Sequence, residues 1–370
     1  MKHRSAPKSV TLRDIAAALG ISRTTVSNAF NRPDQLSPEL RDRVMAMAKA
    51  MNYPGPNPMG RMLRTGETGT IGLVFSESLS YAFSDPVAIA FLQGVASVCE
   101  RAQASLLIVP TFMPGVVQAS VGEAAQATIR QAAVDGFILY SQPFNNESID
   151  QVMERKLPIV AVDCPYLKGV SSVKIDDRQA AYEAAAHLIR FQHQYIAILC
   201  TELGTDQYEG PVDRQRMEQA DYANALERLR GYHDALQEAG FDLNQIPIEE
   251  RLNREDHGFL ATLHLLQQHP RPTGILAMTD RLAVGAIRAA ETLGLHVPSD
   301  VSIVGFDDIP LASQVNPRLT TIRQPAVEKG RLAAELLLHY TGKTICHVLP
   351  TELVVRESTG PAPIINSETE

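Results

Sequence analysis

The hydrophobic pattern divides the chain into a short helical head and a long α/β body. Near the N-terminus, apolar residues recur at helical spacing at Leu12, Ile15, Ala16 and Leu19, which predicts one face of an amphipathic helix. From residue 70 onward, short and nearly uninterrupted apolar runs alternate with amphipathic segments, as in parallel sheets whose strands are buried on both faces. The runs that predict strands cover 71–75, 105–110, 136–140, 158–163, 195–200, 274–278 and 301–308.

The segments between these strands predict helices. Clear examples cover 86–102, 177–191, 223–239 and 280–293. Alternation of strand and helix implies doubly wound sheets with right-handed crossovers. The strands are too many for one sheet of ordinary size, so we expect two similar α/β subdomains with a cleft between them. Ligands in such folds bind beyond the carboxyl ends of the strands.

Capping residues predict three short helices in the head. Thr11 and Asp14 predict a capping box before the first helix, and Gly20 ends that helix because glycine accepts a positive φ. The second helix, over 23–30, begins at Ser22, and the third at the Ser-Pro-Glu sequence that starts with Ser37. A helix, a glycine-containing turn and a second helix form the helix-turn-helix geometry, whose second helix enters the major groove.

Charge is distributed unevenly between the head and the body. Residues 1–64 hold eleven Lys and Arg against four Asp and Glu, a net charge of +7, so the chain total of −8 leaves −15 for the rest. A basic head on an acidic body is typical of a nucleic-acid-binding module joined to another domain. The alternative is a basic face that is merely solvated.

The second helix presents side chains that suit DNA recognition. Arginine can donate twice to guanine and asparagine can pair with adenine, whereas threonine and serine reach phosphates or a thymine methyl. The string VTLRDIAAALGISRTTVSNAFN, residues 10–31, resembles the head of the LacI/GalR family of bacterial repressors. In the head we predict that DNA is contacted by Thr11, Ser22, Arg23, Thr24, Thr25, Ser27 and Asn28.

The linker 54–68, PGPNPMGRMLRTGET, is rich in proline and glycine and contains one candidate helix over 59–64. Alone it would predict a flexible tether. Family linkers read P-N-P-x-A-R-x-L-R, and the resemblance implies a hinge helix whose leucine wedges into the minor groove. It assigns DNA contacts to Asn57, Arg61 and Leu63. The chain departs from this pattern by one extra residue before Asn57 and by Gly60 in place of alanine.

The body resembles the core of the same family, which is similar to a periplasmic sugar-binding protein. Residues 272–325 match almost position for position, and ERLRGYHDAL at 227–236 matches R-x-x-G-[FY]-x-x-A-[LM]. We therefore expect a head at 1–56, a hinge at 57–68, a core at 69–358 and a tail at 359–370. Within the core we expect subdomain one at 69–168 and 324–347, and subdomain two at 169–323 and 348–358.

Residues at strand ends make up the candidate effector site. By resemblance, Arg228 binds effector oxygens, and its planar guanidinium suits hydroxyls or a carboxylate. Asp163 and Asp307 each follow an apolar strand, where they could accept bonds from sugar hydroxyls or serve as cap or turn residues. The remaining ligand-binding candidates are Ser76, Tyr81, Phe83 and Thr279.

Other residues near these strand ends have structural or undecided roles. Tyr81 and Phe83 could form an aromatic wall or could equally pack over their own loop. Asp280 is expected to cap the helix that follows it, and Gln324 to support the crossover between subdomains. The long connection 204–227 is a candidate lid or recognition loop.

Several classes of protein are disfavoured by what the sequence lacks. None of the patterns G-x-x-x-x-G-K-[ST], G-x-S-x-G and H-E-x-x-H occurs, so neither an enzyme, a metal site nor a cofactor is expected. The four cysteines form no C-x-x-C pair, and Cys164 is expected to be a buried, inert thiol. No apolar stretch is long enough to span a membrane, and the basic N-terminus has no signal-peptide core. We therefore expect a cytoplasmic protein.

These observations together predict a ligand-responsive bacterial transcription factor, specifically a repressor. Two chains would place two heads on a near-palindromic double-stranded operator, because half-site symmetry mirrors the symmetry of a homodimer. A sugar-like or nucleoside-like effector in the cleft would change operator affinity by the coupling free energy between the two sites. The alternative is a small-molecule-binding receptor without gene control.

Overall fold

The structure is a computed structural model that describes residues 10–53, 55, 66–111, 118–144 and 146–364. The chain divides into two units, residues 1–68 and residues 69–370, which we call the head and the core. The head has three helices in its described part: α1 (Leu12–Leu19), α2 (Arg23–Asn31) and α3 (Pro38–Ala50).

The head confirms the helices predicted from their capping residues. The Thr11 backbone N–H donates to Asp14 Oδ2 over 2.8 Å, which closes the predicted capping box. Gly20 has φ 66° and ends α1, in the left-handed conformation that glycine tolerates. Ile15, Val26 and Val44, one from each helix, are fully buried and form the centre of a small core.

The first sheet of the core has six strands in the order β12-β5-β4-β3-β1-β2, all parallel. Its strands are β1 (Thr70–Phe75), β2 (Ser105–Pro110), β3 (Gly136–Tyr140), β4 (Ile159–Val162), β5 (Ser171–Ile175) and β12 (Cys346–Leu349). Its helices are α4 (Leu79–Ala82), α5 (Pro86–Ala102), α6 (Gln118–Gln131), α7 (Glu147–Glu154) and α13 (Ala326–Leu338).

The second sheet has seven strands in the order β13-β11-β10-β9-β6-β8-β7. Its strands are β6 (Ile196–Cys200), β7 (Gly210–Pro211), β8 (Ile248–Glu250), β9 (Gly274–Ala277), β10 (Ser302–Asp307), β11 (Thr320–Arg323) and β13 (Glu352–Val354). Its helices are α8 (Asp177–Arg190), α9 (Arg214–Glu218), α10 (Ala223–Glu238), α11 (Glu255–Leu266) and α12 (Asp280–Thr292).

Burial on both faces explains why the central strands are almost wholly apolar. In β1, Ile71 and Leu73 pack with residues of α5 and α13, while Val74 packs on the opposite face with residues of α6 and α7. In β6, Ile198 packs toward α8 and α10, whereas Leu199 packs toward α11 and α12. The predicted pair of doubly wound α/β subdomains is confirmed.

The subdomain boundaries lie later in the chain than predicted. Strand β5 pairs with β4, so subdomain one extends to residue 175 rather than 168. Strand β12 pairs with β5, which places the last crossover after residue 349 rather than 347. Both strands lie toward one edge of the sheet, and β5 alternates buried and more exposed residues, so neither shows the continuous apolar run of a central strand.

The predicted tail begins too early, because residues 358–360 are buried in the core. The Thr359 hydroxyl lies 2.9 Å from His187 Nε2, and the Gly360 carbonyl lies 3.1 Å from His193 Nε2. The backbone N–H of Ala362 donates to the Phe191 carbonyl. These bonds give both histidines a structural role and extend the core to residue 362. In the described ranges, no helix has the length and apolar content needed to cross a bilayer.

Candidate functional site

The core contains a cavity at the carboxyl ends of strands from both sheets. Ser76 follows β1 and Asp163 follows β4 in subdomain one, while Thr279 and Asp307 lie at the ends of β9 and β10 in subdomain two. This is the position at which doubly wound sheets bind ligands. The structure brings Ser76, Tyr81, Asp163, Arg228, Thr279 and Asp307 together around it.

Arg228 is buried in the cavity wall and held from several sides. Its Nε donates to Asp177 Oδ1 over 2.9 Å, and its Nη1 donates to the Met278 carbonyl over 2.7 Å and lies 3.6 Å from Asp307 Oδ1. The guanidinium carbon lies 3.6 Å from the centre of the Phe306 ring. Burial alone would lower the pKa of Arg228, but the Asp177 and Asp307 carboxylates outweigh it and raise that pKa.

A chain of hydrogen bonds connects the two candidate aspartates. Lys329 Nζ donates to Asp163 Oδ2 over 2.6 Å and to Gln324 Oε1 over 2.7 Å, and the Gln324 amide donates to Asp307. Gln324 thus lies beside the crossover as expected, but it also lines the cavity. Lys329 is 2% exposed and was missed by sequence reasoning. The sequence did contain a signal, because Lys329 precedes Ala333 by four residues and so lies on the same buried face of α13.

Both aspartates occupy unusual backbone positions. Asp163 has φ 49° and Asp307 has φ 116°. Residues other than glycine rarely have a positive φ, and those that do are often found at functional sites. Burial raises the pKa of Asp307 to about 7, although the Arg228 charge opposes this rise.

The two aromatic candidates in the first loop separate in the structure. Tyr81 lines the cavity, and its hydroxyl accepts a hydrogen bond from Asn253 Nδ2 over 2.8 Å, across the cleft between the subdomains. Phe83 is 62% exposed and lies outside the lining, so its assignment to the ligand site is wrong. Phe83 follows the four-residue helix α4, whose buried residue is Ala82.

Thr279, not Asp280, caps helix α12. The Thr279 hydroxyl accepts a bond from the Leu282 N–H and donates to Asn253 Oδ1 over 2.7 Å. Asp280 is fully buried and accepts bonds from the Ile309 N–H and the Thr321 hydroxyl. The predicted cap is therefore wrong by one residue, because Thr279 still has the extended backbone that a cap position requires.

The long connection 204–227 contributes to the cavity. Arg216 donates to both carboxylate oxygens of Glu250 over 2.7 Å and also bonds Asp206, which ties the loop to the end of β8. The loop then brings Tyr222 into the wall, where its hydroxyl lies 3.5 Å from Glu77 Oε1 of the other subdomain.

Two glutamates of the wall were also missed by sequence reasoning. Glu77 comes two residues after β1, and Glu202 comes two residues after β6. Glu202 accepts bonds from the Thr201 hydroxyl and the Asn253 N–H. Burial and the neighbouring Glu202 charge raise the pKa of Glu77 to about 7.

Because the folded-state pKa of Glu77 lies above its ordinary value of about 4.3, the protonated group favours folding. This contribution is fully present below pH 4 and is lost as the pH rises to about 7. We expect Glu77→Gln to raise the free energy of unfolding by about 1–2 kcal/mol at pH 8 and to have little effect at pH 4.5. Urea unfolding of both proteins at several pH values measures this. Equal differences at all pH values would contradict the assignment.

Cys164 has the protonated thiol that was expected of it. Burial raises the pKa of Cys164 to about 12, so the thiol stays protonated at neutral pH. Its single proton can be donated to the Val162 or the Leu139 carbonyl, both within hydrogen-bond distance of the sulfur. Among the residues that the structure describes, no group of three or more His, Cys, Asp and Glu could hold a metal ion.

The candidate DNA-binding residues of the head differ in exposure. The exposed ones are Thr11, Ser22, Arg23 and Thr24, and the half-buried ones are Thr25, Ser27 and Asn28. The hydroxyls of Ser22 and Thr25 lie 2.8 Å apart, and Asn28 Nδ2 lies 3.4 Å from Gln35 Oε1. The head thus presents a polar surface at the start of α2. Asn57, Arg61 and Leu63 lie outside the described residues.

Comparison with known proteins agrees with both units. Residues 11–57 match the family described as bacterial regulatory proteins, lacI family, and residues 170–359 match a periplasmic binding protein-like domain. The chain is 40% identical over 360 residues to an HTH-type transcriptional regulator of Mycobacterium tuberculosis, covering 95% of this chain and 97% of that protein.

Two solved structures share this architecture. A LacI-family transcriptional regulator from Corynebacterium glutamicum is 35% identical, with a TM-score of 0.70 and coverage of 96% of this chain and 100% of that chain. The lac repressor dimer, solved with operator and the anti-inducer ONPF, is 26% identical, with a TM-score of 0.77 and coverage of 95% and 100%.

The fold and the comparisons define a DNA-binding transcriptional regulator with a helix-turn-helix head and a periplasmic-binding-protein-like core. The chain belongs to the lacI family of bacterial regulatory proteins.

Proposed function

We propose that this protein is a cytoplasmic repressor, that it binds a near-palindromic operator as a homodimer, and that a small effector in the core cleft controls its operator affinity. The effector is sugar-like or nucleoside-like. The observation that carries this proposal is the cavity whose wall comes from strand ends of both subdomains. A ligand there contacts both subdomains at once, so its binding free energy depends on their relative orientation.

Contacts across the cleft support such a coupling. Tyr81 of subdomain one is bonded to Asn253 of subdomain two, and the backbone N–H of Phe144 donates to the Asp221 carbonyl over 2.8 Å. A ligand that adds to or replaces these bonds shifts the equilibrium between orientations by its differential affinity. By resemblance, Arg228 binds effector oxygens, with Asp163, Asp307, Thr279 and Ser76 as further contacts.

The head would read the operator through α2. The exposed Arg23 and the half-buried Asn28 supply base contacts, while hydroxyls at the start of the helix reach phosphates. Asn57, Arg61 and Leu63 would add contacts from the linker. The operator and the dimer named for the lac repressor structure support this assignment by similarity.

We expect operator binding to depend steeply on salt. Each phosphate that Lys or Arg neutralises releases counterions, so six such contacts would lower affinity about a thousandfold between about 50 and about 200 mM salt. Fluorescence anisotropy measures this on a duplex selected from a random library by the full-length protein. A scrambled duplex serves as the control for specific binding. A flat plot of log affinity against log salt would exclude phosphate contacts by the basic head.

A further inference from the structure

A second, open cavity adjoins the first one. The two share Ser76, Glu77, Glu202 and Tyr222, so a ligand can extend from one into the other. The lining residues that the structure describes include four glutamates and neither lysine nor arginine; these glutamates are Glu77, Glu123, Glu147 and Glu202. We call this second cavity the acidic compartment.

The basic groups around the first cavity already have acidic neighbours. These carboxylates offset the positive charge of the basic groups, which therefore attract an anionic ligand only weakly. The neighbours are Asp177 and Asp307 for Arg228, Asp163 for Lys329, and Asp85 for Arg281 at 3.6 Å.

Glu77 and Glu202 have no such compensation. In the described part of the chain, neither forms an ion pair with a lysine or arginine, and the charge of each raises the pKa of neighbouring acidic groups. They come from β1 and β6, in different subdomains. A ligand between the subdomains therefore meets two acidic groups from opposite sides.

The first cavity also holds a buried acceptor atom that receives no hydrogen bond. Among the described residues, none donates to the buried Asp163 Oδ1, although Asp163 Oδ2 accepts from Lys329. A buried acceptor without a donor costs free energy, and Asp163 lines the cavity. A ligand hydroxyl or ammonium group would supply the missing donor.

We infer that the effector is rich in hydrogen-bond donors, either a polyhydroxylated uncharged molecule or its amino derivative, and that Glu77 and Glu202 exclude forms that carry phosphate or carboxylate. This inference rests on the proposed function, because it specifies the ligand of the same cleft. Carboxylate oxygens accept from hydroxyls and ammonium groups but repel anions, and the repulsion is strong where little water remains. When an uncharged compound binds, we expect the Kd of its phosphorylated form to be at least about 100-fold higher.

Matched compounds test the inference on the full-length protein. The compounds tested together are glucose, glucosamine, gluconate and glucose 6-phosphate, ribose and ribose 5-phosphate, and adenosine and its monophosphate. Further sugars and polyols, each with its phosphate, extend this set. Equilibrium dialysis with mass spectrometry identifies bound compounds, and calorimetry then gives each Kd. The inference expects binding among uncharged or amino members only. Binding of an anionic member alone would overturn it and leave the proposed function standing, whereas no binding at all would overturn both.

Substitution of the two glutamates tests their role in selection. The measurements are made at pH 8, above the pKa of Glu77. Glu77→Gln then removes a charge and Glu202→Gln replaces the second carboxyl group, and both substitutions keep the side-chain shape. Each substitution is expected to weaken binding of the uncharged compound. Each should also lower about tenfold the ratio between the Kd of the phosphate and the Kd of the uncharged compound. Glu154→Gln, at an exposed position on α7, is the control and should change neither value. Unchanged discrimination in both cleft variants would contradict the assignment.

Discussion

Arg228→Met is expected to lower the free energy of unfolding of the core by about 3–5 kcal/mol at pH 8, because it leaves buried carboxylates without their cation. Methionine keeps much of the side-chain volume but supplies no donor for Asp177 or for the Met278 carbonyl. Asp307 loses the charge that opposes the rise of its pKa. Protonation of these carboxyls relieves the cost, so we expect a smaller loss at pH 6 than at pH 8.

Arg178→Met provides a matched control for this substitution. Arg178 also connects α8 to α10, through bonds of 2.5 and 2.9 Å to Asp234, but its side chain is 51% exposed. Water screens such an exposed ion pair. Arg178→Met should therefore lower the free energy of unfolding by only a small part of the decrease expected for Arg228→Met. Urea unfolding of the three proteins at pH 6 and pH 8 measures the difference. Equal losses in the two variants would show that burial of Arg228 adds nothing.

The apolar pattern predicted the central strands and the main helices, because a strand buried on both faces must be apolar throughout. Helix α5 has the predicted bounds, and α8, α10 and α12 differ by one residue at their C-terminal ends. The short strands β5, β7, β8, β11, β12 and β13 were not predicted. Their pairing depends on long-range contacts, such as β5 between β4 and β12, and a short, mixed run of residues cannot specify such contacts.

The candidate site was predicted where it depends on the strand-end rule and was missed elsewhere. That rule found Asp163 and Asp307, and it would have found Glu77 and Glu202 if applied two residues beyond β1 and β6. Asn253 was not predictable in this way, because it follows the short strand β8. Its amide joins Tyr81 to Thr279, and this bridge exists only once the two subdomains are together.

The close contact of α10 with α8 gives Gly231 a specific steric role. Gly231 lies one turn after Arg228, in the segment that matches R-x-x-G-[FY]. A Cβ at this position would lie 2.1 Å from the Arg178 carbonyl oxygen and 2.9 Å from the Ala181 side chain. Backbone cannot rotate away as a side chain can, so Gly231→Ala must push the two helices apart.

We expect Gly231→Ala to lower the free energy of unfolding by about 2–3 kcal/mol despite the better helix propensity of alanine. Because Asp177 begins α8 and bonds Arg228 on α10, displacement of the helices should also weaken effector binding. For stability, Gly122→Ala is the matched control, since Gly122 lies inside α6 and a Cβ there meets no atom of the described residues within 4 Å. That variant should gain about 0.5–1 kcal/mol from helix propensity alone. Urea unfolding measures both variants, and a gain in stability for Gly231→Ala would show that the helices can separate without cost.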